Sequence, residues 1–148
     1  MRPETGPLDR EATMEEPKVL KATCLCGQVK IEIRDEFLLA GYCHCSECQK
    51  FSGSASSAWA RIERSKVRFV EGEDLIRLYH KNATGRVGFC GNCGSSLFNG
   101  QQDGPLINIR LGVLDDEPSV RPSIHVFCES RASWADVEGP LPRFDTIP

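Results

Sequence analysis

The sequence has no run of the ~18 to 20 apolar residues that a membrane span needs, and its opening, Met1 to Pro17, lacks the apolar core of an export signal. These absences make the cytoplasm the expected compartment and a membrane partner unexpected. A basic surplus is missing too. Against 18 Lys and Arg stand 21 Asp and Glu, a formal net charge of −3, so there is little material for a surface that tracks phosphates, and nucleic acid is a disfavoured partner. Nor is there a long helical period, or a fixed repeat of about 20 to 50 residues that would mark a solenoid. The 148 residues suffice for one domain of ordinary size with its own core.

What the chain does have is cysteine, eight in all. Such a count reads either as a disulfide framework or as a set of metal ligands, and compartment and spacing decide between them. A chain without an export signal sits where thiols stay reduced. Cys24-Leu25-Cys26 and Cys43-His44-Cys45 would need small, strained rings to form disulfides, whereas both sulfurs of either pair can turn toward one ion. Metal ligation is the expected use.

Taken in order, residues 1–18 combine Pro3, Pro7 and Pro17 with Glu4, Asp9, Glu11, Glu15 and Glu16 and hardly an apolar anchor, the composition of a disordered tail. Residues 19–148 form the domain. In it, Val29, Ile31 and Ile33 alternate with charged residues as in a half-buried strand, with Val19 to Thr23 as its hairpin partner. Cys24 to Gly27 lies between them, a metal knuckle at the hairpin tip, where Gly27 supplies a positive φ. Phe37 to Tyr42 leads into Cys43, and Glu47 to Phe51 has room for one helical turn ending near Gly53. Strands are expected over Ser54 to Ala60, around Val67 and Phe69, and over Leu75 to His80. A second knuckle, Cys90 to Gly94, sits between Arg86–Phe89 and Leu97-Phe98. Leu106 to Val113 shows the cleanest alternation, with Ile107, Ile109, Leu111 and Val113 on one face, and Ile124 to Cys128 reads as a last strand. Ala132 to Pro148 is expected as an irregular wrap.

Seven cysteines fall into three groups: Cys24/Cys26, Cys43/Cys45/Cys48 and Cys90/Cys93. The two glycine-followed knuckles together make a complete four-thiolate site, closed and structural. Cys43, Cys45 and Cys48 then supply three ligands and leave a fourth position for water, a carboxylate or an incoming thiol. Spacing alone also allows a ribbon of Cys45/Cys48 with Cys90/Cys93, or closure of the triplet by His44, His80, His125 or a carboxylate. His44 is either a proton acceptor beside the open site or a solvent-facing or supporting residue, with its ring turned from the metal. Cys128 reads as a small buried hydrophobe. Trp59 and Trp134 read as core or loop-packing residues rather than a substrate platform, and Arg86, Arg110 and Arg131 could bind carboxylates but, as isolated arginines, read as solvated surface charges.

Cys24-Leu25-Cys26-Gly27, Cys43-His44-Cys45-Ser46-Glu47-Cys48-Gln49-Lys50-Phe51-Ser52-Gly53 and Phe89-Cys90-Gly91-Asn92-Cys93-Gly94-Ser95 resemble the glutathione-dependent formaldehyde-activating enzyme family, which includes the centromere protein V domain. Leu111 to Asp115, His125-Val126-Phe127 with Glu129-Ser130-Arg131 and Trp134, and Leu141 to Phe144 look like its later signatures. The resemblance implies a mainly β, Mss4-like fold of twisted antiparallel sheets with two zinc ions. Cys24, Cys26, Cys90 and Cys93 would hold the structural zinc, and Cys43, Cys45 and Cys48 the catalytic one. It further implies a carbon-sulfur lyase that condenses glutathione with formaldehyde to S-hydroxymethylglutathione. The alternative is a non-catalytic zinc module that binds a protein or chromatin, like the centromere relative.

Overall fold

In the computed structural model, residues 16–135 and 139–148 are described. The expected N-terminal tail therefore lies, up to residue 15, outside the described residues. Among the described residues there are ten strands and one short α-helix: β1 (Val19–Thr23), β2 (Lys30–Arg34), β3 (Leu39–Cys43), α1 (Ser46–Ser52), β4 (Ser57–Glu63), β5 (Val67–Glu71), β6 (Ile76–His80), β7 (Gly85–Cys90), β8 (Ser96–Gln101), β9 (Leu106–Arg110) and β10 (Ile124–Val126). The fold is mainly β and Mss4-like, as the resemblance implied. Among the described residues, no helix is long and apolar enough to cross a membrane.

The strands make two sheets, a small one in the order β1-β2-β5 and a large one in the order β10-β3-β4-β9-β8-β7-β6. Period-two patterning decides how they meet. Register places Leu20 opposite Ile33, Ala22 opposite Ile31, and Ile31 opposite Phe69, so one face of the small sheet is apolar. The large sheet answers with Ile62, Leu97, Phe98, Ile107 and Ile109, and these side chains join Ala22, Ile31 and Ile33 in one core. The rings of Phe69 and Phe98 meet across it at 5.7 Å. Burying each of the large aliphatic side chains is worth ~1.5 to 3 kcal/mol, and this layer is the main source of cohesion. Ion pairs on the small sheet's outer face, such as Lys30–Glu71 at 3.3 Å, are solvent-exposed and add at most ~1 kcal/mol each.

The alternate residues of the same large-sheet strands point the other way. Trp59 pairs with Arg110 and Arg61 with Asn108 across β4 and β9, and Asn108 with Asn99 across β9 and β8. The polar members of each strand thus line up on the face away from the core.

Three expected strands are shorter or shifted. Alternation in Leu106–Val113 continues past the end of β9, but Leu111–Val113 is a 3-10 turn; Val113 still packs on the core, so the pattern reported burial and not strand pairing. The strand expected over Ser54 to Ala60 starts later, at Ser57, because α1 and its glycine cap, Gly53, precede it. β10 ends at Val126, since Phe127 adopts φ 55° and Cys128 opens a 3-10 turn. One feature departs from an all-antiparallel fold: β10 runs parallel to β3, with Ile124 beside Gly41 and Val126 beside Cys43. The acidic loop leading there is tied back to β1, for Asp116 accepts a hydrogen bond from the Lys21 amide at 2.7 Å and Asp115 one from the Thr23 hydroxyl. The C-terminal wrap is irregular over its described residues, with Phe144 donating its N–H to the carbonyl of His125 at 3.1 Å.

Gly41 lets three elements converge. A Cβ there would lie 2.7 Å from the Ile124 carbonyl oxygen and 3.2 Å from the Trp59 ring. Gly41→Ala is expected to cost ~1 to 3 kcal/mol by forcing β10 away from β3; thermal unfolding followed by circular dichroism, with metal content held constant, should show a midpoint several degrees lower.

Candidate metal centres and the adjoining pocket

The turn between β1 and β2 carries Cys24 and Cys26, and the turn between β7 and β8 carries Cys93, with Cys90 closing β7. In each turn a glycine, Gly27 (φ 80°) or Gly94 (φ 79°), takes the left-handed conformation, which strains any residue that carries a Cβ. The two knuckles touch. The Leu25 amide donates to Ser95 Oγ at 2.8 Å, and the sulfurs of Cys26 and Cys90, 64 residues apart in sequence, are 3.9 Å from each other. All four sulfurs lie within 4.8 Å of one another. A tetrahedral zinc with Zn–S bonds of ~2.3 Å sets its sulfurs about 3.8 Å apart, so the donor set and its spacing fit that ion. The pKa of Cys93 is pushed down to about 5, first by the Ser95 hydroxyl, and that of Cys26 is lowered, chiefly by the Asn92 side chain, whereas burial pushes that of Cys90 up.

The second group is built at the end of β3. Cys43 is the last residue of that strand, Cys45 is the N-cap of α1 and Cys48 lies in its first turns. The Cys45 sulfur accepts the Cys48 amide N–H at 3.3 Å. Its three sulfurs also lie within 4.8 Å of one another, and among the described residues no further His, Cys, Asp or Glu joins them. Proton sharing within the triplet places the charge on one sulfur. Cys45 is held down to about 2, first by the side chain of Cys43 and then by that of Cys48, while Cys43 is pushed up, first by its hydrogen bond to Cys45. Such a set suits a soft divalent cation such as zinc. The seven cysteines therefore group as four and three, and the ribbon of Cys45/Cys48 with Cys90/Cys93 is not what the fold assembles.

The triplet opens onto a pocket of about 510 Å³ whose floor is the polar face of the large sheet and whose wall is α1. Trp59, Phe51, Leu39, Ile124, Val126 and Phe127 supply apolar lining, and Arg61, Asn99, Asn108 and Arg110 the polar floor. At the rim, Lys81 pairs with Glu47 at 2.6 Å. Phe127 belongs to the lining and has the one positive φ found for a non-glycine among the described residues, a strain of ~1 to 3 kcal/mol stored beside the site.

Several single-residue expectations change. Arg110 and Arg86 are not surface charges, being 5% and 8% exposed. Arg86 bonds the Gln102 side chain and the Asn82 carbonyl, which holds the turn before β7. Arg110 faces the pocket, where its Nη1 donates to Ser57 Oγ at 2.8 Å. Arg131 is exposed as expected, and Trp134 is 75% exposed and does not pack. His44 is buried, not solvent-facing; its Nε2 lies 2.9 Å from Nδ1 of His125, which stacks on Tyr42. His125 alternates with the pocket-lining Ile124 and Val126, so this pair sits behind the strands that line the pocket. Burial lowers the pKa of both imidazoles, which favours their neutral forms. Cys128 is buried and outside both sulfur groups.

The sequence reading missed the pocket floor. Asn108 and Arg110 are the polar members of the alternating strand β9, which is a signal for a face but not for what the face encloses.

Two thiol clusters on a mainly β scaffold, one held between hairpin tips and one lining a pocket, define a thiol-rich protein with two candidate metal centres. The model of the family described as glutathione-dependent formaldehyde-activating enzyme matches residues 19–130. The chain belongs to that family. A crystal structure of a Rhodobacter sphaeroides protein is similar to it, with 25% sequence identity and a TM-score of 0.56, over 84% of this chain and 99% of the other. No match was found among curated proteins.

Proposed function

We propose that the chain is a zinc-dependent carbon-sulfur lyase-type enzyme of the cytoplasm that joins the thiol of glutathione to formaldehyde, giving S-hydroxymethylglutathione. Cys43, Cys45 and Cys48 form its catalytic metal site, and Cys24, Cys26, Cys90 and Cys93 a structural one. The observation that carries this reading is the triplet: three sulfurs gathered at the mouth of a pocket, with no further protein ligand beside them among the described residues. When bound there, zinc would act as a Lewis acid that favours the thiolate form of a substrate thiol.

The rest falls to the protein. In the addition a carbon–sulfur bond forms, the carbonyl π bond breaks, and the proton lost by the thiol ends on the new hydroxyl, so no oxidant or reductant is consumed. Phe51, Trp59 and Phe127 shield this exchange from bulk water. The Arg110 guanidinium, held against Ser57 and over the Phe51 ring at 5.2 Å, places a fixed positive charge on the pocket floor, which favours the binding of an anionic thiol substrate. Asn99 and Asn108 offer amide groups at the same face.

Exchange between free and hydroxymethylated glutathione, measured by NMR in formaldehyde solution, tests the reading. The exchange rate should rise in proportion to protein concentration above the spontaneous reaction. No acceleration would overturn the enzyme and leave the zinc interaction module standing.

A further inference from the structure

The pocket floor holds more positive charge than its protein partners use. Arg110 is 5% exposed. Its Nη1 is satisfied by Ser57, but its Nε is buried with no hydrogen-bond partner. Arg61 lies diagonally across from it, since Trp59 pairs with Arg110 and Arg61 with Asn108. Arg61 donates Nε to Asn108 Oδ1 at 3.1 Å and lies over the Trp59 ring at 5.5 Å; among the described residues its terminal nitrogens make no hydrogen bond. Lys81, the other cation lining the pocket, is already neutralised by Glu47. A desolvated guanidinium with a free donor is costly unless an anion meets it, and arginine's planar fork matches a carboxylate.

We propose that Arg110 and Arg61 form a carboxylate-binding subsite on the pocket floor, and that it takes the glycine carboxylate of the thiol substrate. The proposal rests on the thiol-aldehyde reading above, in which the aldehyde carries no acid group and the anion must come with the thiol. Position selects which carboxylate. Ser57, the partner of Arg110, stands opposite Cys43 across β3 and β4, and Arg110 and Cys48 line the same pocket. The anion therefore docks close to the reacting sulfur. In glutathione the glycine carboxylate is one residue from the cysteine, whereas the glutamyl carboxylate is set further off by its side-chain linkage. The competing role for Arg110 is to balance the negative triplet alone, and the test separates the two.

Binding is measured by calorimetry on the metal-loaded protein with three ligands: glutathione, glutathione carrying a glycine carboxamide, and ophthalmate, which has a methyl group in place of the thiol. The parent should bind glutathione roughly 10- to 100-fold more tightly than the amide, the span expected for hydrogen bonds to a charged group. That ratio should fall toward one in Arg110→Gln and drop in Arg61→Gln, a half-buried position that carries the test if the first variant does not fold. Equal affinities in the parent, or a ratio unchanged in both variants, would overturn the subsite and leave Arg110 to the triplet. The enzyme reading fails separately. Ophthalmate bound as tightly as glutathione, with the same arginine dependence and no catalysed exchange, would keep the subsite and remove the thiol chemistry.

Discussion

Cys90→Ser is expected to remove one of two metal equivalents and to abolish, or lower by more than ~10 °C, the cooperative thermal unfolding transition. Cys90 is fully buried at the end of β7 and belongs to the apolar core as well as to the four-sulfur group. The four sulfurs join the tip of β1–β2 to the tip of β7–β8, and thus the small sheet to the large one. Apparent zinc affinities of structural sites, ~10 to 16 kcal/mol, rival the whole net stability of a domain, ~5 to 15 kcal/mol. Three thiolates and a hydroxyl would keep only part of that, and serine would bury a polar group besides. Metal content by a chromophoric chelator, with unfolding by circular dichroism, checks both halves. Two retained equivalents with an unchanged midpoint would show that these sulfurs do not hold the fold together.

How far this architecture could be read beforehand depends on how local its causes are. The knuckles were legible because Cys-x-Cys-Gly and Cys-x-x-Cys-Gly declare both ligand type and turn geometry within a few residues. α1 was legible from Glu47 to Phe51 and its stop at Gly53. Strand faces were legible wherever one side is buried, as with Ile31 and Ile33, or Ile107 and Ile109. The failures are where two causes give the same pattern: Leu111 and Val113 are partly buried like strand residues but lie on a 3-10 turn, so period two marked burial without pairing. Parallel pairing of β10 with β3 is a long-range event with no local signature, and it is what brings His125 to His44, 81 residues away, and buries both. Arg110 was hidden for the same reason. Its environment comes from Ser57 and Trp59 on β4 and Phe51 on α1, and an arginine ending a strand looks solvated until those neighbours are in place.

Cys45→Ser should separate chemistry from stability in the opposite sense to Cys90→Ser. Cys45 caps α1 with its sulfur, accepting the Cys48 amide, and serine is itself a strong N-cap, so the helix keeps that hydrogen bond. The residue is only partly buried and lies at the pocket, away from the main core. What is lost is one of the three sulfurs that would hold the metal. A hydroxyl does not ionise at neutral pH and is a poor ligand for a soft cation. The expected result is a folded protein with an unfolding midpoint within a few degrees of the parent, one metal equivalent in place of two, and catalysed exchange reduced by more than ~100-fold, beyond the cost of losing a residue that merely supports a ligand. Both cysteine variants lose one equivalent, so metal analysis alone would not tell them apart. The unfolding midpoint does, because the four-sulfur group joins the two sheets, whereas Cys45 stands outside the strands as the N-cap of α1, where a ligand can be lost without separating any two strands.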